Sequence, residues 1–214
     1  MSWKTAKRLW DANQDLAEAC LNHPFVQGIA SGDLSRESFI FYVGQDAYFL
    51  ESFARAYALA LAKARDGASL YAFRDQLDGV LDELRLHQGY AKRWGIELDP
   101  APASATRAYT DFLLRVAWSE PVECIMAAMM PCMRLYSYLG RQLAPELNPD
   151  SPYREWVDTY SADDFDLLAG KLEELHNDHL GHDHPSTRAE IYYRTAMELE
   201  LAFFQQAYEH PAQQ

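Results

Sequence analysis

The sequence lacks long apolar runs and has little positive charge. Its 214 residues carry 19 Lys and Arg against 32 Asp and Glu, which gives a formal net charge of −13. No apolar stretch approaches the roughly 20 residues that span a bilayer, and the N-terminus, MSWKTAKRLW, has no secretory core segment. Nucleic-acid binding needs a basic footprint, which these scattered cations do not supply. We therefore expect a soluble, cytoplasmic protein that binds neither nucleic acid nor membrane.

Cysteine is also scarce. The three cysteines, Cys20, Cys124 and Cys132, are odd in number and form no CxxC pair. Cys124 and Cys132 lie eight residues apart on one predicted helix, roughly 12 Å along its axis, which is too far for a disulfide. We expect three free thiols.

Signals for β-structure are missing, since no Asn-Gly hairpin or sustained period-two alternation appears. Helical periodicity dominates, so we expect an all-α protein of seven or eight helices, with residues 1–214 as a single domain and any ligand bound between helices. The predicted helices cover 3–22, 36–65 (capped by Ser35), 69–93, 104–118, 121–143, a short stretch from Ser151-Pro152 to Tyr160, another from Ser161, and a last one to Tyr208 that opens with the capping-box pattern Thr187-x-x-Glu190.

The segment AAMMPCMRLY places Pro131 and Cys132 in the middle of a helix. A proline there lacks the N–H that would bond the carbonyl of Ala127 and crowds that carbonyl. Such a defect is tolerated where it lines a cavity, so we expect a kink that opens the backbone beside the Cys132 thiol. A buried cysteine that serves only as a small apolar side chain is the alternative.

Two carboxylates interrupt apolar helix faces. Asp46 lies three or four residues from Tyr42 and Phe49, and either binds a ligand or pairs with a buried Arg. Glu200 shares its face with aromatic and apolar residues, whereas Glu198 shares its face with polar ones. A dry setting raises the pKa of a carboxyl group, so Glu200 is the acid suited to carry a proton.

Three tyrosines complete the predicted pocket. Tyr109, Tyr136 and Tyr160 offer apolar walls with polar tips, which suit a flat heteroaromatic ligand.

Two weaker patterns raise the question of a metal. Glu83 and His87 lie at i and i+4 on a helix and could form half of a metal site, although a hydrogen bond within the helix is the favoured interpretation. The run HNDHLGHDHP, from His176 to Pro185, holds four histidines, and a solvated loop is favoured over a metal site. We therefore predict no metal and no cofactor.

Taken together, HPFVQGIASGDLSRESFIFYVGQDAYFLESFARAYALA, the Pro-Cys pair at 131–132 followed by Tyr136 and Tyr160, and ELAFFQQAY near the end resemble the TenA/thiaminase II family. The resemblance runs in order along nearly the whole chain. It implies a heme-oxygenase-like all-α fold without heme, assembled as a homotetramer. It also implies hydrolysis of 4-amino-5-aminomethyl-2-methylpyrimidine to the 5-hydroxymethyl pyrimidine, and some members of the family cleave thiamine itself.

The resemblance implies a role for each of the singled-out residues. Cys132 matches the nucleophile of the family and Glu200 its catalytic acid, and the chain falls on the branch that has this cysteine. The positions that match the substrate pocket are Asp46 for the pyrimidine, Phe49 for stacking, and Tyr109, Tyr136 and Tyr160. Met133-Arg134 depart from the aromatic residues that many relatives carry, which leaves the exact substituent of the substrate open.

Two other functions stay open from the sequence. A metal-dependent oxygenase on the same fold would use Glu83, His87 and further acids, and a non-enzymatic regulatory protein would need none of this set. A heme enzyme is less expected, because His23 directly precedes Pro24 and is poorly placed as an axial ligand. The natural substrate is the free aminopyrimidine, its N-formyl derivative or thiamine.

Overall fold

The computed structural model describes residues 5–96, 98, 100–180 and 185–210, and these residues form ten α-helices and one short 3₁₀ turn without strands. The all-α class is confirmed, and the count of seven or eight helices is wrong. The elements are α1 Thr5–Asp11, α2 Gln14–Leu21, α3 Pro24–Ser31, α4 Arg36–Ala62, α5 Gly67–Trp94, α6 Ser104–Ser119, α7 Val122–Leu143, the 3₁₀ turn Ala144–Glu146, α8 Arg154–Ser161, α9 Asp163–Leu180 and α10 Thr187–Glu209.

The helix predicted over residues 3–22 is two helices that meet at Asn13. The Asn13 side-chain amide donates to the Leu9 carbonyl at 2.8 Å, and its oxygen accepts a bond from the Arg194 guanidinium at 3.2 Å. An asparagine side chain that bonds nearby backbone competes with the helical pattern, which explains the break.

Helix α3 has no counterpart among the predicted helices. It begins at Pro24, whose missing N–H costs nothing at the first position of a helix, and the His23 side chain accepts a bond from the Phe25 N–H at 3.2 Å. It ends at Gly32, whose φ of 87° favours glycine.

The predicted caps are partly right. Ser35 caps α4 as expected, because its hydroxyl accepts a bond from the Ser38 N–H at 3.0 Å. The cap of α10 is Ser186, which accepts from the Ala189 N–H, so the capping box was placed one residue late at Thr187. Helix α8 begins at Arg154 rather than at Ser151-Pro152, because the Ser151 hydroxyl donates to the Ile29 carbonyl and accepts from the Tyr153 N–H in a turn.

Helix α7 lies at the centre of the packing. It contacts α8, α9 and α10, while α4 contacts α5 and α6, and α10 joins the two groups by also contacting α4 and α6. Gly140 lets α7 approach α8 closely, since a Cβ there would lie 2.4 Å from the Tyr160 carbonyl carbon. Burial of each large apolar side chain in this core stabilises the fold by about 1.5–3 kcal/mol.

The central helix continues through Pro131 from Val122 to Leu143. The proline is buried and leaves the Ala127 carbonyl without its usual N–H donor. It does not end the helix, and the next residue, Cys132, remains partly accessible.

Among the described residues, none of the helices is both long and apolar enough to cross a membrane. The assignment of residues 1–214 to a single domain stays a prediction.

Candidate active site

Five helices bring the predicted site residues together around Cys132, and a sixth, α5, adds two further side chains. Burial raises the pKa of the Cys132 thiol, and the charges of Glu200, Glu83 and Asp46 raise it further. Burial and Tyr42 raise the pKa of Tyr136, with smaller effects from Glu200, Asp46 and Cys132. These groups therefore share one electrostatic environment. The predicted residues come from α4 (Asp46, Phe49), α6 (Tyr109), α7 (Cys132, Tyr136), α8 (Tyr160) and α10 (Glu200), and the added ones from α5 (Glu83, His87) and α8 (Trp156).

Cys132 and Glu200 form a thiol–carboxyl pair. Besides the effect of burial, Glu200 raises the pKa of the Cys132 thiol and the thiol lowers the pKa of Glu200, so the two side chains are near neighbours. The buried Tyr109 hydroxyl donates to Glu200 Oε1 at 2.8 Å. The structure thus places a carboxyl group near the sulfur.

Burial shifts both members of this pair towards their neutral forms. Burial and the neighbouring Glu200 charge raise the pKa of the Cys132 thiol well above its usual value. Burial also raises the pKa of Glu200 to about 8, against the opposing effect of the Tyr109 hydrogen bond. Near neutral pH the thiol is therefore protonated and Glu200 is mostly the neutral acid, so the base that would remove the thiol proton is the smaller, ionised fraction of Glu200.

The predicted contrast between Glu200 and Glu198 is confirmed. Glu200 is 2% exposed and lies on the buried face of α10 with Tyr193, Met197 and Phe203. The Glu198 side chain is 57% exposed and lies 3.5 Å from the Arg194 guanidinium. Helical phase alone separated these two acids.

Asp46 forms a hydrogen bond with His87, a residue that the sequence analysis assigned to a hydrogen bond within its own helix. His87 Nε2 lies 2.8 Å from Asp46 Oδ2, and His87 Nδ1 lies 3.0 Å from the Glu83 backbone carbonyl. The bond within the helix exists, but it goes to the backbone and directs the ring at Asp46. The expectation that Asp46 pairs with a buried Arg is wrong, since its partner here is a histidine.

One proton lies in the hydrogen bond between Asp46 and His87. A carbonyl oxygen only accepts, so Nδ1 carries a hydrogen, and the proton between Nε2 and the carboxylate must be supplied by one of the two groups. Burial lowers the pKa of His87, but the hydrogen bond and charge of Asp46 outweigh it and raise the pKa to about 9. Near neutral pH the His87 ring is therefore an imidazolium.

Glu83 belongs to the same cluster. Its Oε1 accepts a bond from the Tyr160 hydroxyl at 2.5 Å. Burial and the charge of Asp46 raise the pKa of Glu83 to about 7. Because α5 turns Glu83 and His87 to one face, their i, i+4 spacing was visible in the sequence, but it did not assign them to the site, because their partner on α4 was not visible there.

Aromatic rings surround the polar cluster. Phe49 and Tyr109 have ring centroids 4.7 Å apart, and Tyr136 and Tyr160 have centroids 4.8 Å apart. Tyr42 donates to the Tyr136 hydroxyl at 3.2 Å. Trp156 in turn donates to the Tyr42 hydroxyl at 3.2 Å, a chain that the sequence did not indicate. All three predicted tyrosines and Phe49 therefore belong to the aromatic wall around the cluster, but of these four only Tyr160 lines the cavity described next.

A small cavity opens within this wall. Its volume is about 10 Å³, and it is lined by Tyr42, Val43, Glu83, His87, Trp156, Thr159 and Tyr160. This is room for about one water molecule. A pyrimidine ring would enter here only if the surrounding side chains move apart.

Arg134, whose departure from related sequences left the substrate open, points away from the cluster. Its guanidinium binds both oxygens of Glu173 at 2.7 Å and Asp166 at 2.7 Å, so it ties α7 to α9. Met133 is buried. Arg134 therefore has a structural role, and Met133, which directly follows Cys132, is the member of the pair that lies nearer the site.

The histidine run is only partly a loop. His176 is fully buried in α9, with no hydrogen-bond partner for either ring nitrogen among the described residues, and burial lowers its pKa to about 4. The expectation of a solvated loop is wrong for this residue, and His182 and His184 lie outside the described residues. In the described ranges, no group of three His, Cys, Asp or Glu has an arrangement that would hold a metal ion, and both His87 nitrogens face hydrogen-bond acceptors.

Comparison with known proteins places this geometry in context. The model of the TENA/THI-4/PQQC family matches residues 10–210. An aminopyrimidine aminohydrolase from Halalkalibacterium halodurans is 34% identical over 212 residues, covering 95% of each chain. The thiamine biosynthesis multifunctional protein ThiED of Corynebacterium efficiens is 35% identical over 171 residues, which are 79% of this chain and 23% of that protein.

A solved structure agrees with the fold. A protein described as a TenA family transcription regulator from Silicibacter sp. TM1040 superposes with a TM-score of 0.89 at 28% identity, covering 96% of this chain and 97% of that one.

Proposed function

This chain belongs to the TENA/THI-4/PQQC family, and we propose that it is a thiamine-salvage hydrolase. Its reaction converts 4-amino-5-aminomethyl-2-methylpyrimidine to the 5-hydroxymethyl pyrimidine and ammonia. The observation that carries the proposal is the buried Glu200 carboxyl group beside the Cys132 thiol, where each group shifts the pKa of the other. The similarity to an aminopyrimidine aminohydrolase over 95% of both chains supports the choice of substrate.

The thiol–carboxyl pair supplies the chemistry that this substrate requires. The exocyclic carbon does not ionise unaided, so Glu200 takes the thiol proton and the sulfur adds to the pyrimidine ring. Electrons move towards the exocyclic carbon, the C–N bond breaks, and Glu200 gives its proton to the departing amine. Water then adds to that carbon as Glu200 takes its proton. The C–S bond breaks, and the proton returns to the sulfur.

Asp46 and the aromatic wall orient the ring in this proposal. The carboxylate accepts hydrogen bonds from the 4-amino group, and the hydrogen bond with His87 holds that carboxylate fixed in direction. Phe49 and Tyr109 offer one aromatic face, and Tyr136 and Tyr160 offer another. A flat heteroaromatic ring between them gains stacking and excludes water from the sulfur.

A direct assay tests this function. We expect purified protein to convert 4-amino-5-aminomethyl-2-methylpyrimidine to the hydroxymethyl product, followed by mass spectrometry, with release of one ammonia for each product. The N-formyl derivative and thiamine, incubated in parallel, establish which is preferred. Absence of the hydroxymethyl product from all three would contradict the proposal.

The oligomeric state is a further part of the proposal. Several large apolar side chains are exposed in the single chain, among them Trp118 at 70%, Tyr71 at 65% and Ile191 at 56%. Exposed apolar surface of this kind favours association, and we expect a homotetramer in the cytoplasm. Light scattering should give about 98 kDa, four times the chain mass of 24.5 kDa, and a monomer at micromolar concentration would contradict this.

A further inference from the structure

A second cavity lies on the outer side of Glu83. Its volume is about 280 Å³, and it opens between α5, α8 and α9. The walls are Gly79, Val80, Asp82, Glu83, Met133, Thr159, Phe165 and Leu168. Most of this surface is apolar, and the charged groups among the wall residues are the two carboxylates.

This outer cavity adjoins the small cavity of the active site. Glu83 and Thr159 line both of them. Met133 in its wall directly follows Cys132 in α7, and the Glu83 charge acts on the Cys132 thiol. The outer cavity therefore leads from the surface to Glu83, at the boundary with the small cavity, and has this carboxylate at its inner end.

The position of Glu83 is fixed from within. Tyr160 donates to one carboxylate oxygen, and the helical neighbour His87 is held by Asp46. Glu83 nevertheless keeps part of its surface accessible, as expected for a residue between two cavities. An anchored carboxylate at the end of an apolar passage is suited to a group that combines apolar surface with positive charge.

We infer that this outer cavity binds the 5-substituent of the pyrimidine, the group that leaves in the reaction, and that Glu83 selects substituents that carry a positive charge. The inference rests on the proposed function, which places the pyrimidine ring at Asp46. The class of ligand is a pyrimidine joined through its exocyclic carbon to an ammonium or a cationic heterocycle, of which thiamine is the permanently charged example.

The same carboxylate distinguishes substrate from leaving group. A substituent that arrives as a cation leaves as a neutral molecule, since the electrons of the broken C–N bond remain on its nitrogen; the proton from Glu200 is needed only when the amine arrives uncharged. Glu83 then loses its counter-charge, and the neutral group binds more weakly than the substrate did. The cavity opens to the surface, so the leaving group departs without passing the pyrimidine.

Equilibrium binding to the Cys132→Ser protein tests the inference without turnover. The two probes are thiamine and 4-amino-5-hydroxymethyl-2-methylpyrimidine, which share the pyrimidine and differ in the charged substituent. Adding Glu83→Gln to this protein should weaken the binding of thiamine by about 10-fold or more, which is the usual cost of losing a hydrogen bond to a charged group. The dissociation constant of the neutral pyrimidine should change by less than about threefold. Asp78→Asn on the same helix, whose side chain is 66% exposed, is the matched control and should change neither.

A steric variant tests the location independently of charge. Leu168→Trp fills the outer cavity and should weaken the binding of thiamine, whereas the neutral pyrimidine should still bind. Leu167→Trp, one residue earlier at a position that is 62% exposed, should change neither. Thermal melting of each variant identifies any that fails to fold.

The outcomes separate this inference from the proposed function. If Glu83→Gln and Leu168→Trp weaken the binding of both probes equally, or of neither, the inference is overturned. The proposed function is unaffected by either result. Failure of both probes to bind the Cys132→Ser protein and the unaltered protein would overturn the function, and the inference with it.

Discussion

Replacing Cys132 with serine is expected to lower turnover of the aminopyrimidine by about 10³-fold or more and to leave its dissociation constant within a few fold. Serine keeps the shape of the side chain and its place beside Glu200. It lacks the nucleophilicity and leaving ability that addition to the ring and later release require, and loss of a covalent nucleophile typically has effects of this size. Steady-state rates and calorimetric binding measure the two quantities separately.

The other two cysteines provide matched controls. Cys20 is fully buried, and burial together with the Glu200 charge raises the pKa of its thiol. Its replacement therefore tests whether a different thiol near Glu200 is needed for turnover. Cys124 lies two turns before Cys132 on α7 and is also buried. We expect Cys20→Ser and Cys124→Ser to keep activity. Near-normal turnover by Cys132→Ser would mean that the covalent mechanism is wrong.

Much of the fold was predictable because its signals are local. The periodicity of α4 and the cap at Ser35 come from residues within a few positions of one another, and both are confirmed. The break at Asn13 was not predictable in this way, since the Asn13 oxygen binds Arg194, which is 181 residues away in the sequence. Helix ends that depend on tertiary partners are invisible to periodicity.

The candidate site shows the same division. Glu200 could be placed because a carboxylate on an apolar helix face is unusual in the sequence itself. Glu83 and His87 could not, because an i, i+4 pair on one helix has an ordinary explanation until Asp46 on α4 is brought 2.8 Å from the ring. The roles of Cys132, Glu200 and the pocket residues stay predictions, drawn from the resemblance and supported by this geometry.

Replacing Glu200 with glutamine should lower kcat/KM for the aminopyrimidine by about 10²-fold or more, the usual worth of general acid–base catalysis. Glutamine keeps the size of the side chain and a hydrogen bond to Tyr109 but cannot take the thiol proton. Since the pKa of Glu200 is raised to about 8, the carboxylate form increases as pH rises towards 8. The unaltered protein should therefore gain activity over this range, and Glu200→Gln should lose that dependence.

Glu198 is the matched control for this acid. It lies two residues away on α10, and its exposed carboxylate faces Arg194. A surface substitution of this kind changes stability by about 0.5 kcal/mol or less, so Glu198→Gln should keep normal rates. Equal losses at both positions would mean that helical phase does not distinguish a catalytic acid from a surface one.

The central claim is that Glu200 acts through the Cys132 sulfur as one unit. The most direct test is to measure hydrolysis of the aminopyrimidine by Cys132→Ser, Glu200→Gln and the double variant under identical conditions. Residues that act on one step give non-additive losses, so the double variant should be no slower than Cys132→Ser within about threefold. If the two losses instead multiply, the thiol and the carboxyl act independently, and the proposed proton transfer between them is contradicted.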